Sequence, residues 1–143
     1  MTVKFKAVVI DNQNEKFTRD IKEIDSNHLK DGNVLIKIDY SSLNYKDALI
    51  LKDGGKIVRK FPFVPGIDFC GKVVESGDDK FKKDENIICT GFRVGEMYYG
   101  GFSQYARVDS NFLIKNPKDI DPEKSMMLGL SLIHISEPTR LAW

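Results

Sequence analysis

Residues 61–76 read FPFVPGIDFCGKVVES, and this stretch passes from a loop into a strand. Pro62 and Pro65 have no backbone N–H to donate, so the first half cannot be regular strand and is predicted to form a rigid, buried loop. The second half is rich in β-branched and aromatic residues, which predicts a strand over Ile67–Ser76. The stretch is therefore a strand that is entered from a fixed loop.

Short β-branched runs separated by turn residues recur along the rest of the chain. The other predicted strands are Lys4–Ile10, Phe17–Ile24, Val34–Tyr40, Ile87–Phe92, Phe102–Val108 and Phe112–Lys115. Near-helical spacing predicts a short helix that begins near Ser41 or Ser42 and stops at Gly54. Asp121-Pro122-Glu123 is predicted to open a second helix that continues to Gly129. The fold class is therefore mainly β with short helices, a small barrel or sandwich.

The strand Val34–Tyr40 shows alternation of side chains. Val34, Ile36 and Ile38 fall on one face, whereas Leu35 shares the other face with a lysine and an aspartate. Because successive side chains of a strand point to opposite faces, this pattern predicts one better-buried face.

Composition narrows the function classes. The chain has 143 residues, 41% of them hydrophobic, and a net charge of +1. Such a charge does not steer a protein toward nucleic acid or an anionic membrane, and no apolar run approaches the ~20 residues of a membrane span. One soluble globular domain without nucleic-acid or membrane partners is expected.

The two cysteines, Cys70 and Cys89, lie apart in apolar, strand-like runs. They are interpreted as buried free thiols of a reducing compartment, which predicts a cytoplasmic location, with a disulfide between them as the alternative. Residues 1–16 carry charges inside their apolar stretch and so do not form a signal peptide.

Motifs of metal and nucleophile chemistry are absent from the sequence. There is no CxxC, HExxH, GxSxG or GxGxxG, and the only histidines are His28 and His134. No metal site and no catalytic nucleophile are therefore expected. By motifs alone this is a β-rich domain without a catalytic centre of its own.

The densest polar cluster is Asn44-Tyr45-Lys46-Asp47. A tyrosine beside an amide and a cation could hydrogen-bond a cofactor or a carbonyl oxygen. The alternative is a helix start whose polar residues are capped or solvated.

Asp68 and the tyrosine pair Tyr98–Tyr99 are two further candidates. Asp68 stands in an apolar strand, and buried acids need a partner, for which Lys46, Arg59 or a ligand are the candidates. The alternatives are a structural ion pair or solvation at a sheet edge. The tyrosines lie in a glycine-flanked loop, where they could line a pocket or cover one end of the barrel.

Four segments occur together in order and carry a family resemblance: SSLNYKDAL (41–49), GGKIVRKFPFVPGIDFCGKVVES (54–76), VGEMYYGGFSQYARV (94–108) and a helix ending in MMLG (126–129). The chain resembles, over residues 3–129, the catalytic domain of zinc-free medium-chain dehydrogenase/reductases. The similar branch is that of YhdH/YhfP-type quinone-oxidoreductase-like proteins, which includes NADPH-dependent acrylyl-CoA reductases. The resemblance implies a GroES-like, partly open β-barrel.

The same resemblance implies a reaction without zinc. Zinc enzymes of the superfamily have a ligand cysteine where this chain has Asn44 and a ligand histidine where it has Ile67. Neither side chain supplies the thiolate or imidazole that zinc prefers. The implied activity is hydride transfer from NADPH to an α,β-unsaturated acyl-CoA or a quinone, and the implied assembly of the parent protein is a homodimer.

By position, the resemblance assigns Tyr45 and Asn44 to cofactor binding near the nicotinamide. Lys46 and Asp68 would lie around the same pocket, and Tyr99 is placed with them as a substrate-pocket residue. No individual catalytic role follows from the resemblance.

Residues 130–143 continue none of these patterns, and LSLIHISEPTR (130–140) resembles a translated sequencing adapter. The domain is therefore expected to comprise residues 1–129 and to lack the Rossmann domain of the family, so the chain alone should be inactive and expose an apolar patch at Met126–Leu128. The alternative is a stand-alone GroES-like module that binds a ligand or partner without chemistry. A glycine-rich nucleotide loop downstream in the reading frame would favour the enzyme.

Overall fold

The computed structural model describes residues 2–29, 32–54, 56–116, 121–124 and 126. Within these residues the chain forms seven strands and one regular α-helix, α1, at Tyr45–Asp53. The strands are β1 Lys4–Gln13, β2 Lys16–Asp25, β3 Val34–Ser41, β4 Asp68–Ser76, β5 Asn86–Thr90, β6 Tyr105–Val108 and β7 Leu113–Lys115.

The strands form two open antiparallel sheets. One is the hairpin β1–β2, and the other has five strands in the order β6-β3-β4-β5-β7. The mainly β class and the incompletely closed architecture predicted from the sequence are confirmed. The central position of β4 places the strand that follows the proline loop in the middle of the larger sheet.

Strand β3 is buried on both faces, so the prediction of one better-buried face is wrong for its first half. Val34 and Ile36 pack in the main core against β4, β5 and β6. Leu35 is equally buried on the opposite face, where it packs with Phe5 of β1. The hairpin covers the second face of the sheet, and alternation within one strand carries no information about that cover.

The loop before β4 is buried, as predicted, and the structure shows that it is held from two sides. Phe63 exchanges two backbone hydrogen bonds with Ile10 of β1, at 2.8 and 2.9 Å. On the other side, the N–H of Gly100 donates to Val64 O at 2.7 Å, and that of Gly101 donates to Gly66 O at 2.9 Å. Backbone bonds of this kind fix the loop without regular secondary structure.

Both cysteines are buried free thiols, which confirms the interpretation over the disulfide. Burial raises the pKa of Cys70 to about 11 and that of Cys89 to about 12. Neither thiol is therefore ionised at neutral pH, and both act as small apolar core residues.

Several boundaries differ from prediction at the chain's turns. Helix α1 begins after Asn44 rather than near Ser41 or Ser42, because β3 extends through Ser41. Residues 122–124 and 126 are helical, and the N–H of Glu123 donates to the side chain of Asp121, as expected of an N-cap.

Met126 is 6% exposed, so the expected apolar patch is wrong at this position. The other two residues of the expected patch, Met127 and Leu128, lie outside the described residues. So do the predicted end of the second helix at Gly129 and the adapter-like residues 130–143. None of the helices in the described ranges has the length and apolar character needed to cross a membrane.

Candidate functional site

Three elements meet where β3 ends, α1 begins and β4 starts. Ser41, the last residue of β3, pairs with Phe69 near the start of β4. The next residue, Ser42, donates its backbone N–H to Asp68 O at 3.4 Å. The short link to α1 therefore lies directly against the first residue of β4, which brings the predicted polar cluster and Asp68 together.

The side-chain amide of Asn44 lies between two carboxylates. Its Nδ2 is 3.1 Å from Asp68 Oδ2 and 3.4 Å from Asp47 Oδ2, with Ser42 Oγ at 3.3 Å. Ionised carboxylates only accept hydrogen bonds, so they orient the amide with its nitrogen toward the protein. The predicted proximity of Asn44 and Asp68 is thus present in the structure.

Asp47 joins the start of α1 to the proline loop. One oxygen accepts from the backbone N–H of Asn44 at 2.9 Å, and the other accepts from the N–H of Ile67 at 3.1 Å. The carboxyl is fully buried, and this desolvation raises its pKa, an effect that the hydrogen bonds from Asn44 and Ile67 partly oppose. Asp47 therefore sets the position of the loop relative to the helix.

Asp68 has neutral partners, so the predicted pairing with Lys46 or Arg59 is wrong. It is 2% exposed, and Oδ2 accepts from Asn44 Nδ2 and from Ser42 Oγ. Burial raises the pKa of Asp68, although hydrogen bonds from Asn44, Thr90, Ser42 and the Gly91 N–H oppose that rise.

The raised pKa of Asp68 predicts a stability change with pH. Above the ordinary pKa of 3.8 the unfolded chain loses this proton while the folded chain still holds it, so the free energy of unfolding falls as pH rises. Asp68→Asn removes that penalty and keeps an oxygen to accept from Asn44. We expect the variant to gain about 1 kcal/mol over the wild type at pH 7, with the gain shrinking toward pH 3.5. Urea unfolding at several pH values measures it, and a gain independent of pH would contradict the assignment.

Lys46 points to a different partner, Glu96. Its Nζ is 2.6 Å from Glu96 Oε1, and Arg93 Nε lies 3.8 Å from the other oxygen of the same carboxylate. The side chain of Glu96 is only 13% exposed, and its carboxylate lies between Lys46 and Arg93. This ion pair links the first turn of α1 to the loop after β5.

The loop after β5 has a strained backbone. Gly91, Phe92 and Arg93 are consecutive residues in the left-handed region, with φ of 80°, 55° and 62°. Left-handed conformations disfavour bulky side chains, and such strain persists only where the surroundings hold it. Here the ring of Phe92 stacks on Phe112, with centroids 5.1 Å apart, while Arg93 bonds to Glu96.

The two candidate tyrosines lie in different surroundings. Tyr45 is 66% exposed at the start of α1, next to the equally exposed Leu43. Tyr99 donates its hydroxyl to Pro62 O at 3.0 Å, and its ring packs edge-on against Phe63. Tyr45 thus lies on the surface beside Asn44, whereas Tyr99 supports the proline loop, and its role in a substrate pocket stays a prediction.

A cavity of about 370 Å³ opens beside the Lys46–Glu96 ion pair. The cavity is lined by Glu96, by Phe63 of the proline loop, and by Met97 and Tyr98, which follow the strained residues 91–93 in sequence. Of the two adjacent candidate tyrosines, Tyr98 and Tyr99, it is Tyr98 that lines this cavity.

The arrangement can orient a polar group through Asn44 and shield it with apolar neighbours, but it offers little for a metal. Among the described residues, no three His, Cys, Asp or Glu side chains lie close enough to hold a metal ion.

Sequence reasoning missed the role of Asp47 and of Glu96. An acid three residues after an N-cap amide is a helix-start pattern that could have identified Asp47, whereas no local signal marks Glu96.

The relatives identified by comparison carry oxidoreductase names. The chain is 40% identical over 127 residues to the acrylyl-CoA reductase AcuI of Ruegeria pomeroyi, covering 87% of this chain and 38% of that protein. It is 36% identical over 129 residues to the putative quinone oxidoreductase YhfP of Bacillus subtilis, covering 90% and 39%. The chain therefore spans less than two fifths of the length of these relatives.

Solved structures show the same relationship. The YhdH oxidoreductase from Salmonella enterica in complex with NADP matches with a TM-score of 0.83 at 36% identity, over 87% of this chain and 38% of that one. Bacillus subtilis YhfP with NAD bound matches with a TM-score of 0.82 at 35% identity, over 87% and 38%. The sequence profile of the alcohol dehydrogenase GroES-like domain matches residues 30–118. This profile covers more than half of the chain and agrees with both structural matches, so the protein belongs to the alcohol dehydrogenase GroES-like domain family.

Proposed function

We propose that this chain is the substrate-side domain of an NADPH-dependent oxidoreductase that transfers hydride to an α,β-unsaturated acyl-CoA. The observation that carries the proposal is the amide of Asn44 held between the carboxyls of Asp47 and Asp68 at the junction of α1 and β4. The 40% identity with an acrylyl-CoA reductase supports the same activity class.

The chain's own residues prepare the site. Asp47 and Asp68 fix the amide of Asn44 in one orientation, so the position of its polar atoms is set before any ligand arrives. The resemblance places Asn44 and Ile67 at the ligand positions of zinc enzymes of the superfamily, and neither side chain favours zinc. These two residues support a reaction that proceeds without a Lewis-acid metal.

The exposed residues at the start of α1 fit the nicotinamide end of a dinucleotide. Leu43 and Tyr45 are 68% and 66% exposed and are the sequence neighbours of Asn44, so exposed apolar and aromatic side chains precede and follow the amide along the chain. When bound, the dinucleotide supplies the hydride. Leu43 and Tyr45 would cover the ring and exclude water from it, while Asn44 would hold a polar group.

Three further parts of the proposal concern the parent protein. Residues 130–143 are adapter-derived, and the native gene continues into a nucleotide-binding domain. The parent protein is cytoplasmic, which the two buried free thiols support, and it is a homodimer. A quinone is the second candidate acceptor, because the similar YhfP of Bacillus subtilis carries the name of a putative quinone oxidoreductase.

The test begins with the genomic sequence beyond the codon for Gly129, which identifies the full-length protein. That protein should oxidise NADPH when acrylyl-CoA is added, and Asn44→Ala should lower kcat/KM by about a hundredfold, since a misplaced substrate group costs that much. Asn12→Ala in the exposed β1–β2 hairpin is the matched control and should leave kcat/KM unchanged.

Two results would end the proposal. One is a genome that encodes residues 130–143 and then stops, which favours a binding module without chemistry. The other is a full-length protein that oxidises no NADPH with any enoyl-CoA or quinone. Turnover with a quinone alone would replace the acceptor and keep the reductase.

A further inference from the structure

The cavity beside the Asn44 site carries an excess of positive charge. Arg59, Lys60 and Arg93 line it, against the single carboxylate of Glu96. Glu96 is already engaged by Arg93 and by Lys46 behind it. Among the described residues, Arg59 and Lys60 have no ion-pair partner, so their charge remains available to a ligand.

The same cavity has apolar surface between its charges. Phe63, Tyr98 and Met97 form part of its wall, and Met97 is 55% exposed. Cations around aromatic and thioether groups suit a ligand that combines phosphates with a flat ring, because the cations bond to phosphate oxygens and the ring packs on the apolar wall. A neutral quinone has no phosphate to pair with Arg59 or Lys60.

Two contacts link the wall of this cavity to the proposed reaction site. Lys46 lies two residues after Asn44 and reaches Glu96 on the cavity wall at 2.6 Å. Phe63 belongs to the proline loop that ends at Ile67, whose N–H is held by Asp47. The cavity wall is therefore linked to the Asn44 region through Lys46 and through the proline loop.

We propose that Arg59, Lys60 and Arg93 form the subsite that binds the phosphates of the coenzyme A part of the substrate. This inference rests on the proposed reductase function and deepens it, since it selects the acyl-CoA thioester over the quinone as acceptor. The anchored phosphates hold the thioester, and its unsaturated acyl group reaches the Asn44 site through the pantetheine arm.

NADPH, like coenzyme A, carries phosphates on an adenosine, so the experiment compares the binding of NADPH with that of coenzyme A. Coenzyme A, NADPH and pantetheine, which lacks the adenosine phosphates, are titrated separately into the 143-residue chain by calorimetry. Coenzyme A should bind more tightly than pantetheine, and its affinity should fall as salt rises, because screening weakens attraction between exposed charges.

The decisive comparison uses two variants that each remove two positive charges. Arg59→Gln with Lys60→Gln should weaken coenzyme A binding at least tenfold and leave pantetheine binding unchanged. Lys82→Gln with Lys83→Gln, in the exposed turn before β5, should leave both affinities unchanged. Far-UV circular dichroism checks that both variants fold as the wild type does.

Each other outcome overturns the subsite. These outcomes are no binding of coenzyme A, equal losses in the two double variants, or a loss confined to NADPH. The proposed function fails separately, when the full-length protein shows no NADPH oxidation. Coenzyme A binding that depends on Arg59 and Lys60 without such activity would retain the subsite and remove the reductase.

Discussion

Asp47→Ala is expected to lower the free energy of unfolding by about 2–3 kcal/mol, the sum of a lost helix cap and an unsatisfied loop amide. The carboxyl accepts from the N–H of Asn44 at 2.9 Å and from that of Ile67 at 3.1 Å, and it is fully buried. Alanine leaves both donors unpaired and a space where the carboxyl was. Urea unfolding of the chain at pH 7, followed by circular dichroism, measures the loss.

Two variants give this measurement its reference. Asp47→Asn keeps one accepting oxygen and the side chain's volume, so it should lose less than Asp47→Ala. Asp79→Ala, in the exposed turn after β4, should change stability by no more than about 0.5 kcal/mol. If Asp47→Ala also stayed within that range, the proline loop would be held without the carboxylate, and the pre-orientation of Asn44 would need another cause.

Gly100→Ala is the second substitution with a large expected effect, a loss of about 3–4 kcal/mol. A Cβ at this position would lie 2.2 Å from Gly66 O and 2.8 Å from Gly95 Cα. All of these atoms are backbone, so no side-chain rotation can relieve the overlap. The segment around Gly100 and the proline loop must move apart, which breaks the hydrogen bond from the Gly100 N–H to Val64 O. The thermal midpoint should fall by roughly 10 °C.

Gly77→Ala is the matched control for this substitution. Its added Cβ would meet atoms of Asn33 at 3.4 Å, which is an ordinary contact, and the position is exposed. We expect a change within about 0.5 kcal/mol, because alanine there mainly restricts the unfolded chain. A thermal midpoint of Gly100→Ala equal to that of Gly77→Ala would show that the proline loop can move away from residue 100 at little cost.

The partner of Asp68 shows where prediction from the chain stops. The sequence showed that an acid in an apolar strand needs a partner, and the structure supplies one. The nearest cation in the predicted cluster, Lys46, instead bonds to Glu96, which is 50 residues away in sequence. Which partner Asp68 takes depends on the side chains that the fold brings close to it. The partner matters because burial raises the pKa of this carboxyl, whereas a neighbouring cation would lower it.

Local pattern by itself determined the positions of the strands, the proline loop before β4, the buried thiols and the polar cluster at the start of α1. These features depend on alternation, on missing N–H groups and on side-chain size, all of which are properties of neighbouring residues. Only the tertiary structure decided that β1 covers Leu35, that Asp47 holds Ile67 and that Glu96 takes Lys46. Each of these contacts joins segments far apart in sequence, and it forms only when the fold brings those segments together.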